Sequence, residues 1–446
     1  METCIKKTVN YQFLSQPIEI YERECGHKIV FAHKDGGLVN VSTWVKTGSI
    51  NENDENNGIS HFLEHLMFKG TTKYKAGYFD KTLESKGAIV NAATWKDYTF
   101  YYVTLPKGPN DEYFNCALEL HADMMLDPVI PPEEIGEPFV FGVDKPTVKR
   151  ERHVVIEEIR MRKDQPWTQT YNACNHAMYK KHPYKRDVIG TPEIIASIPR
   201  EDILAYYRKF YAPNNMTTIV VGDFNHEEIL NKLLSLFDFS NREQYVIPQK
   251  ELDVPTSSTN LIENESDVNT SFIIFGYLCP PAKELQKTIA LDILSVILGD
   301  GQSSRLNQNL IEKVENPIFN ALATDFYNFR DGGNFFIDAN LKSGFEKQAI
   351  DDISNQIKMM CTDISDEEFQ KAKKKLKINF ARDAETVSDI SDTIGYYMSV
   401  CDDLESVGQY LNILEGLSKE EVLAIAKEYL DINRATISVL KPKKGN

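Results

Sequence analysis

The segment Gly58-Ile-Ser-His-Phe-Leu-Glu-His-Leu-Met-Phe68 combines an apolar, helix-favouring pattern with three side chains that bind metals or move protons. His61, Glu64 and His65 lie within five residues of one another. Positions i, i+3 and i+4 share one face of a helix, so the two imidazoles and the carboxylate converge while the apolar side chains largely pack elsewhere. The spacing therefore predicts a helix over about 57–68 with one reactive face.

This face has the geometry of a catalytic zinc site. Two neutral imidazoles on successive turns can bind one Zn²⁺ and leave the carboxylate of Glu64 free to accept a proton from the attacking water. The alternative is a polar helix face on which two of the nine histidines fall close together by chance. We predict one zinc ion per chain, with His61 and His65 as ligands.

A catalytic zinc needs a third protein ligand, and a second predicted helix, from residue 148 to about residue 163, offers three carboxylates. Glu151 and Glu158 are two turns apart on one face, so one can bind the metal while the other orients a histidine. Glu157 lies about 100° round the helix and is expected to be solvated. Spacing alone leaves all three open as ligands.

Residues 88–105 form two strand-like runs joined near Lys96 and Asp97. Small side chains at Ala92 and Ala93 leave room beside the backbone, as an edge strand needs if a substrate peptide is to pair with it. The alternative is an ordinary hairpin in which Asn91 caps a turn. We predict an edge strand over 88–95 that receives an extended peptide.

The segment His61-Phe-Leu-Glu-His-Leu-Met-Phe-Lys-Gly-Thr71, with its inverted His-x-x-Glu-His order, resembles the pitrilysin/insulinase family of zinc peptidases. That resemblance implies Glu158 as the third ligand and Glu151 as a supporting carboxylate. It also implies that Asn91 and Ala93 bind the substrate main chain. Residues 136–149 look like an insertion relative to much of the family, and we expect them to shape the mouth of the cleft.

An internal repeat relates the two halves of the chain. Residues 198–204 and 417–423 agree in apolar and charged positions at an offset of 219 residues. The predicted fold class is α+β, with two homologous α/β-sandwich domains from an internal duplication, each an antiparallel-rich sheet with flanking helices. The resemblance implies a half-clamshell. We predict a zinc-binding domain over 1–240, a linker over 241–260 and a metal-free domain over 261–446.

The second half has no histidine, because all nine precede residue 227, so it cannot build the same site. Its segment 303–306 resembles the family's second-half substrate site, where an arginine and a later tyrosine hold the peptide backbone. The resemblance implies that Arg305 binds substrate, against the alternative of a surface charge on a helix. The tyrosine position falls on Phe319, which lacks the hydroxyl donor, and Tyr327 is the possible substitute.

Two other histidines are not predicted to bind metal. His121 falls on the apolar stripe of a predicted helix over 112–126, which indicates a buried structural role. His182 belongs to a His-Pro-Tyr segment that also resembles the family, and we expect this segment to be a packed loop.

Composition restricts the partners and the compartment. The formal charge of −16 disfavours nucleic acid and anionic membranes and favours a basic or extended peptide; the alternative is that the charge serves solubility alone. The seven scattered cysteines indicate neither disulfides nor a thiolate metal site. The N-terminus lacks a secretory signal and no run could span a bilayer, so we expect a cytoplasmic protein.

These features together predict a zinc endopeptidase that acts on short, unfolded or precursor peptides. The resemblance implies that a second such chain completes an enclosed chamber, either an identical copy or a relative that lacks the zinc motif. The alternatives are a peptidase dedicated to one precursor and a scaffold subunit without catalysis. An intact His61, Glu64 and His65 set disfavours the scaffold.

Overall fold

The computed structural model describes residues 4–143, 149–240, 242–255 and 258–443. These residues form two compact units. The described parts of Met1–Arg160, Asp187–Pro248 and Ala381–Gly408 make up the first unit, and those of Met161–Arg186, Gln249–Phe380 and Gln409–Asn446 make up the second.

The first unit is built on a mixed sheet of seven strands. Its strands are β1 (Ile5–Val9), β2 (Ile18–Glu22), β3 (Lys28–His33), β4 (Leu38–Val45), β5 (Ile89–Thr94), β6 (Thr99–Pro106) and β7 (Met216–Gly222). Their order is β1-β2-β3-β7-β4-β6-β5. Only the β3 and β7 pair is parallel among these seven. The predicted hairpin over 88–105 is confirmed, and its first strand, β5, lies at the edge of the sheet.

The second unit repeats this plan. Its strands are β8 (Asn260–Ser266), β9 (Ser271–Cys279), β10 (Phe319–Asn328), β11 (Gly333–Leu341) and β12 (Thr436–Pro442). Their order, β8-β12-β9-β11-β10, matches β3-β7-β4-β6-β5, and the one parallel pair is again the first. The predicted α+β fold and its internal duplication are confirmed.

The helices of the described residues follow the same duplication. They are α1 (Ile59–Met67), α2 (Tyr78–Glu84), α3 (Glu112–Leu126), α4 (Pro132–Ile135), α5 (Glu151–Lys163), α6 (Pro166–Met178), α7 (Pro192–Ser197), α8 (Arg200–Phe210), α9 (His226–Leu236), α10 (Leu285–Leu298), α11 (Arg305–Asn307), α12 (Glu346–Thr362), α13 (Asp366–Arg382), α14 (Val387–Tyr396), α15 (Glu405–Gly416) and α16 (Lys419–Tyr429). Adding the predicted offset of 219 to the bounds of α8 gives the bounds of α16, since 200 + 219 = 419 and 210 + 219 = 429.

Two helices each belong to the unit that is built mainly from the other half of the chain. Helix α6, from the first half, packs on β9 and β12, whereas α14, from the second half, packs on β4 and β7. The two are equivalent under the repeat, because subtracting 219 from 387–396 gives 168–177, within α6. The units therefore differ from the predicted division at 241–260: each sheet takes one covering helix from the opposite half of the sequence.

The predicted linker holds no helix or strand over 242–255 and gives way to β8 at Asn260. Residue 241 and residues 256–257 of that prediction lie outside the described residues, as do residue 148, the predicted start of α5, and residues 144–147 of the predicted insertion.

The first sheet presents opposite faces to two sets of helices. On one face Val41 and Val103 join the core together with the apolar side of α1. On the other, Ser42 hydrogen-bonds Ser391 of α14 and Trp44 contacts Gly395. Successive strand residues point to opposite faces, so this alternation follows from the strand period of two. The site helix is thus fixed on the sheet by buried apolar contacts.

Candidate metal centre

Helix α1 is anchored by its apolar side and presents the metal-binding motif on the other. Phe62, Leu63 and Leu66 are fully buried, as the pattern predicts. The helix begins at Gly58, whose φ of +96° favours glycine, and a Cβ there would lie 2.7 Å from the carbonyl oxygen of Ile189. A close backbone approach therefore fixes where α1 starts.

The predicted ligands converge on one point. Nε2 of His61 and Nε2 of His65 each lie 3.7 Å from Oε2 of Glu158, and the ligand atoms of the three residues all lie within 4.8 Å of one another. Tetrahedral zinc with bonds of about 2.0–2.2 Å places its ligand atoms about 3.4 Å apart. Two imidazole nitrogens and one carboxylate oxygen are also the donor types of a catalytic zinc. The residues present therefore fit this metal.

The structure separates Glu158 from its neighbour Glu157. The Glu157 carboxylate is more than half exposed and pairs with Arg160 at 2.6 Å, on the side of α5 that faces solvent. Glu158 is partly buried against α1. The choice that spacing left open is thus decided by the direction in which α5 faces α1.

Glu151 supports His65 rather than joining the ligand atoms. Its Oε1 lies 2.9 Å from Nδ1 of His65, and its Oε2 lies 2.7 Å from Nζ of Lys69. When Nδ1 carries the proton and donates a hydrogen bond to Glu151, Nε2 keeps its lone pair for a metal. This is the supporting role that the family resemblance implies.

Hydrogen bonds and nearby charges together outweigh the effect of burial on the pKa of both members of this pair. Burial alone would lower the pKa of His65, but the bond to Glu151 and the charges of Glu64 and Glu158 raise it. Burial alone would raise the pKa of Glu151, but its bonds to His65 and Lys69 hold that pKa below the usual value. The carboxylates around His65 therefore favour a positive charge at this position.

Glu64 is hydrogen-bonded to the end of the edge strand β5. Its side chain is largely buried, and its Oε2 accepts a hydrogen bond of 2.5 Å from the hydroxyl of Thr94, the last residue of β5. The carboxylate that is predicted to act as the base is thus tied to the end of the edge strand. Sequence reasoning missed Thr94 and Lys69. The i+4 spacing of Lys69 from His65 was the available signal for the latter.

The open edge of β5 presents particular backbone groups. The N–H of Trp95 bonds the carbonyl of Tyr98 at the hairpin turn, so alternation directs the odd-numbered residues of β5 towards β6 and the even-numbered ones towards the edge. Ala93 therefore pairs with Phe100. The edge groups belong to its neighbours, among them Ala92.

Asn91 is exposed on this strand, and its Oδ1 accepts a hydrogen bond of 2.9 Å from the N–H of Ala92. The strand β5 thus lies at the edge of the sheet, as predicted, and includes the small residues Ala92 and Ala93. That Asn91 and Ala93 bind the substrate main chain stays a prediction.

The first part of the predicted insertion lies on α5. The ring of Phe139 stacks on His153, with centroids 5.2 Å apart, and Arg160 lies 5.1 Å from the centroid of Phe141. Residues 136–143 thus pack on the helix that carries Glu158. Their role at the cleft mouth stays a prediction.

Arg305, in the second unit, is engaged by its own chain. Its Nε and Nη2 bind the two oxygens of Glu368 at 2.5 and 2.7 Å, and Nη2 also donates to the carbonyl of Asp363. Burial would raise the pKa of Glu368, but the pair with Arg305 lowers it to about 2. Phe319 is buried and Tyr327 is partly exposed. A substrate role for Arg305 stays a prediction that requires this ion pair to open or to be shared.

The remaining histidine predictions agree with the structure. His121 is fully buried, with Nε2 2.9 Å from the hydroxyl of Thr43, and burial lowers its pKa to about 3. His182 is buried against Asp331 at 3.3 Å. Among the described residues, the cluster of His61, His65 and Glu158 is the one group of three or more such side chains able to hold a metal ion.

Comparison with known proteins agrees with this geometry. Residues 28–192 match the model of "Insulinase (Peptidase family M16)" and residues 197–376 match that of "Peptidase M16 inactive domain". The chain is 29% identical to the zinc protease PqqE of Helicobacter pylori, over 91% of this chain and 88% of that protein. It is 24% identical to a probable mitochondrial-processing peptidase subunit beta of Arabidopsis thaliana, over 90% and 74% of the two chains.

A solved structure agrees as well. The crystal structure of a protease from Helicobacter pylori superposes with a TM-score of 0.84 at 25% identity, covering 99% of this chain and 100% of that one. The two family models fall on the two repeats seen in the fold, and the first contains the cluster of imidazoles and carboxylates. The chain therefore belongs to the pitrilysin/insulinase family, peptidase family M16.

Proposed function

We propose that this protein is a zinc-dependent endopeptidase that hydrolyses short, unfolded or precursor peptides bound in extended form. The observation that carries this proposal is the convergence of His61, His65 and Glu158 beside Glu64. The relatives named zinc proteases support it. The intact cluster also counts against a scaffold without catalysis.

The residues of the site divide the work. His61, His65 and Glu158 would hold the ion through two Nε2 atoms and Oε2. Bound zinc would supply a Lewis acid that acidifies water and polarises a carbonyl. Glu64 accepts the proton of the attacking water on its carboxylate and passes it to the leaving amine. Thr94 fixes one oxygen of that carboxylate and so keeps its rotamer ready.

The edge of β5 positions the peptide. The even-numbered residues of this strand offer backbone groups to an added strand, and Thr94 at its end touches Glu64. A peptide paired along β5 would therefore bring one of its own peptide bonds near the base. Backbone pairing gives affinity with modest sequence preference, which suits unfolded chains.

A partner chain is part of the proposal. The relative from Arabidopsis thaliana is named as a subunit of a processing peptidase. We propose that this chain acts as a homodimer or with a related subunit, which light scattering together with activity across the elution profile would test. No helix in the described residues is long and apolar enough to cross a membrane. All seven cysteines are free, and a cytoplasmic location stays a prediction.

Substituting Glu64 tests the proposal directly. Glu64→Gln keeps the shape of the side chain but cannot accept the proton, so we expect turnover of a mixed peptide library to fall by about 10³-fold or more while zinc content is retained. Glu157→Gln is the matched control and should leave both unchanged. Hydrolysis by the Glu64→Gln protein at the wild-type rate, or by wild type after chelation, would contradict the proposal.

A further inference from the structure

A buried carboxylate outside the metal cluster holds the start of α1. Glu52 is 5% exposed. Its Oε2 accepts hydrogen bonds from the N–H of Gly58 at 2.8 Å and from Nδ2 of Asn57 at 2.7 Å. Its Oε1 accepts bonds from the N–H of Ser60, at 3.0 Å, and from the Ser60 hydroxyl. All four partners are donors directed at two oxygens.

Glu52 thereby acts as the cap that α1 lacks. The N-cap position is Gly58, which has no side chain to accept the free N–H groups of the first turn. A carboxylate from six residues upstream takes that place, and its negative charge is favourable at a helix N-terminus. Ser60, which it binds twice, directly precedes His61.

The segment before Glu52 is hydrogen-bonded to the turn of the hairpin formed by β5 and β6. In the turn Ser49–Asn51, the N–H of Ile50 bonds the carbonyl of Lys96 at 2.9 Å, and that of Ser49 bonds the carbonyl of Trp95 at 3.3 Å. Both carbonyls belong to the turn between β5 and β6. The backbones meet so closely that a Cβ at Gly48 would lie 2.0 Å from the oxygen of Trp95.

A buried positive charge lies in the same region. Lys96 is 5% exposed, and burial lowers its pKa to about 8, while the charges of Asp187, Asp97 and Glu52 act in the opposite direction. The hairpin turn and the start of α1 are therefore linked by backbone bonds and by opposite charges. The equivalent helix in the second unit, α10, has Glu284 at its N-cap position without a side-chain capping bond.

We propose that Glu52 is a positioning residue that fixes His61 on α1 relative to the edge strand β5. It would couple the geometry of metal binding to the alignment of the peptide. This inference rests on the proposed zinc peptidase function, but it assigns a role to a residue that binds neither metal nor peptide. Loss of the carboxylate would let the first turn of α1 move while leaving the ligands and the base in the sequence.

Glu52→Gln tests this role, because a glutamine must direct an NH₂ group at donors that now meet oxygen. We expect the dissociation constant for zinc, measured on the apoprotein by competition with a chromogenic chelator, to rise about tenfold. With zinc saturating, kcat should fall about tenfold or more, because small misplacements cost much in rate. KM should change less than twofold, since the β5 edge keeps its backbone groups.

Glu346→Gln is the matched control in the second unit. Glu346 is the first residue of α12. Its Oε1 accepts hydrogen bonds from the N–H of Gly344, at 2.9 Å, and from the hydroxyl of Ser271, at 2.5 Å. This variant should lower Tm without changing zinc affinity or kcat. The pair thus separates positioning of the site from stability of the fold.

The outcomes are distinct. A Glu52→Gln protein that loses stability but keeps wild-type zinc affinity and kcat within twofold would overturn the inference and leave the peptidase function standing. Wild-type protein that binds no zinc would overturn the proposed function itself. If Glu52→Gln does not fold, Ser60→Ala removes one donor, and we expect about a threefold rise in the zinc dissociation constant. No change in that variant would also overturn the inference.

Discussion

Five strands of the first sheet and the five strands of the second share one order. The two units differ in the helix that follows β4 in the first and β9 in the second. In the first unit that helix is α1, whose polar side carries His61, Glu64 and His65. In the second it is α10, which is apolar on nearly every side and buries most of its length. The same scaffold thus supports a site in one copy and only a core in the other. Function here depends on a few side chains rather than on the fold.

The carboxylates of the two units differ in the same way. Glu151 is partly buried but has two partners that donate to its oxygens, His65 and Lys69. In the second unit, burial raises the pKa of Asp338 to about 7, and the nearby carboxylate of Asp325 acts in the same direction. One buried acid serves a site, while the other costs stability. Each of the four experiments below substitutes residues in one of the two repeated units and tests the difference between the units.

The largest effect is expected from His65→Ala. It removes one imidazole, leaves Glu158 without one of its two nitrogen neighbours and should abolish tight zinc binding, with activity falling at least about 10³-fold. Metal analysis after gel filtration and a peptide assay measure the two effects. His33→Ala, which changes a histidine paired with Asp35 outside the cluster, is the control. Tight zinc binding by the His65→Ala protein would break the contrast between α1 and α10.

Glu158→Gln and Glu157→Gln sharpen the assignment on α5. We expect the first to weaken zinc binding by about 100-fold or more, since it removes an anionic ligand. The second should change it less than twofold, because the Glu157 carboxylate faces solvent and pairs with Arg160 rather than with the imidazoles. Chelator competition measures both. Equal effects of the two variants would mean that α5 is oriented differently from the geometry described above.

Ala92→Pro tests the edge strand. Proline removes the N–H that faces the open edge, and with it the bond to Oδ1 of Asn91, while the bonds to β6, made by the odd-numbered residues, remain. We expect KM for an extended peptide to rise about tenfold, the loss of one or two backbone hydrogen bonds. Ala92→Val keeps the N–H and serves as the control. A normal KM in the proline variant would place the peptide elsewhere.

Asp338→Asn probes the second unit and should give the smallest effect. Because the folded-state pKa, about 7, is above the ordinary value of 3.8, ionisation opposes folding, and stability falls as pH rises through this window. Below about pH 4 both states are protonated and the cost is absent. We expect the variant to raise the free energy of unfolding by about 1–2 kcal/mol at pH 8 and to change it little at pH 4. Urea unfolding at the two pH values measures this difference. An equal gain at both would show that charge is not the cause.

Local spacing was enough to predict much of the site. The i, i+3, i+4 pattern of His61, Glu64 and His65 predicted the face of α1, and the seven-residue separation of Glu151 and Glu158 predicted two carboxylates on one face of α5. The offset of 219 residues predicted the repeat. Each of these is a period that a helix or a duplicated chain writes into the sequence.

Several other contacts between distant segments were not predicted. The bond from Thr94 to Glu64 joins residues 30 apart, and Glu52 reaches a helix that begins after a turn with no periodic pattern. The exchange of α6 and α14 between the two units likewise has no local signal, because the periodicity of a helix does not specify which sheet its apolar side meets. Such choices depend on which surfaces meet after the chain has folded.

By itself, then, the sequence determined which reactive groups this protein has: two imidazoles and two carboxylates, placed at helical spacings that can be read directly from the sequence. Only the tertiary structure decided which of the three acids on α5 faces the imidazoles, and which sheet each covering helix joins. The physical reason is that helix periodicity is a local property, whereas the rotation of one helix against another is set by buried contacts summed over the whole core.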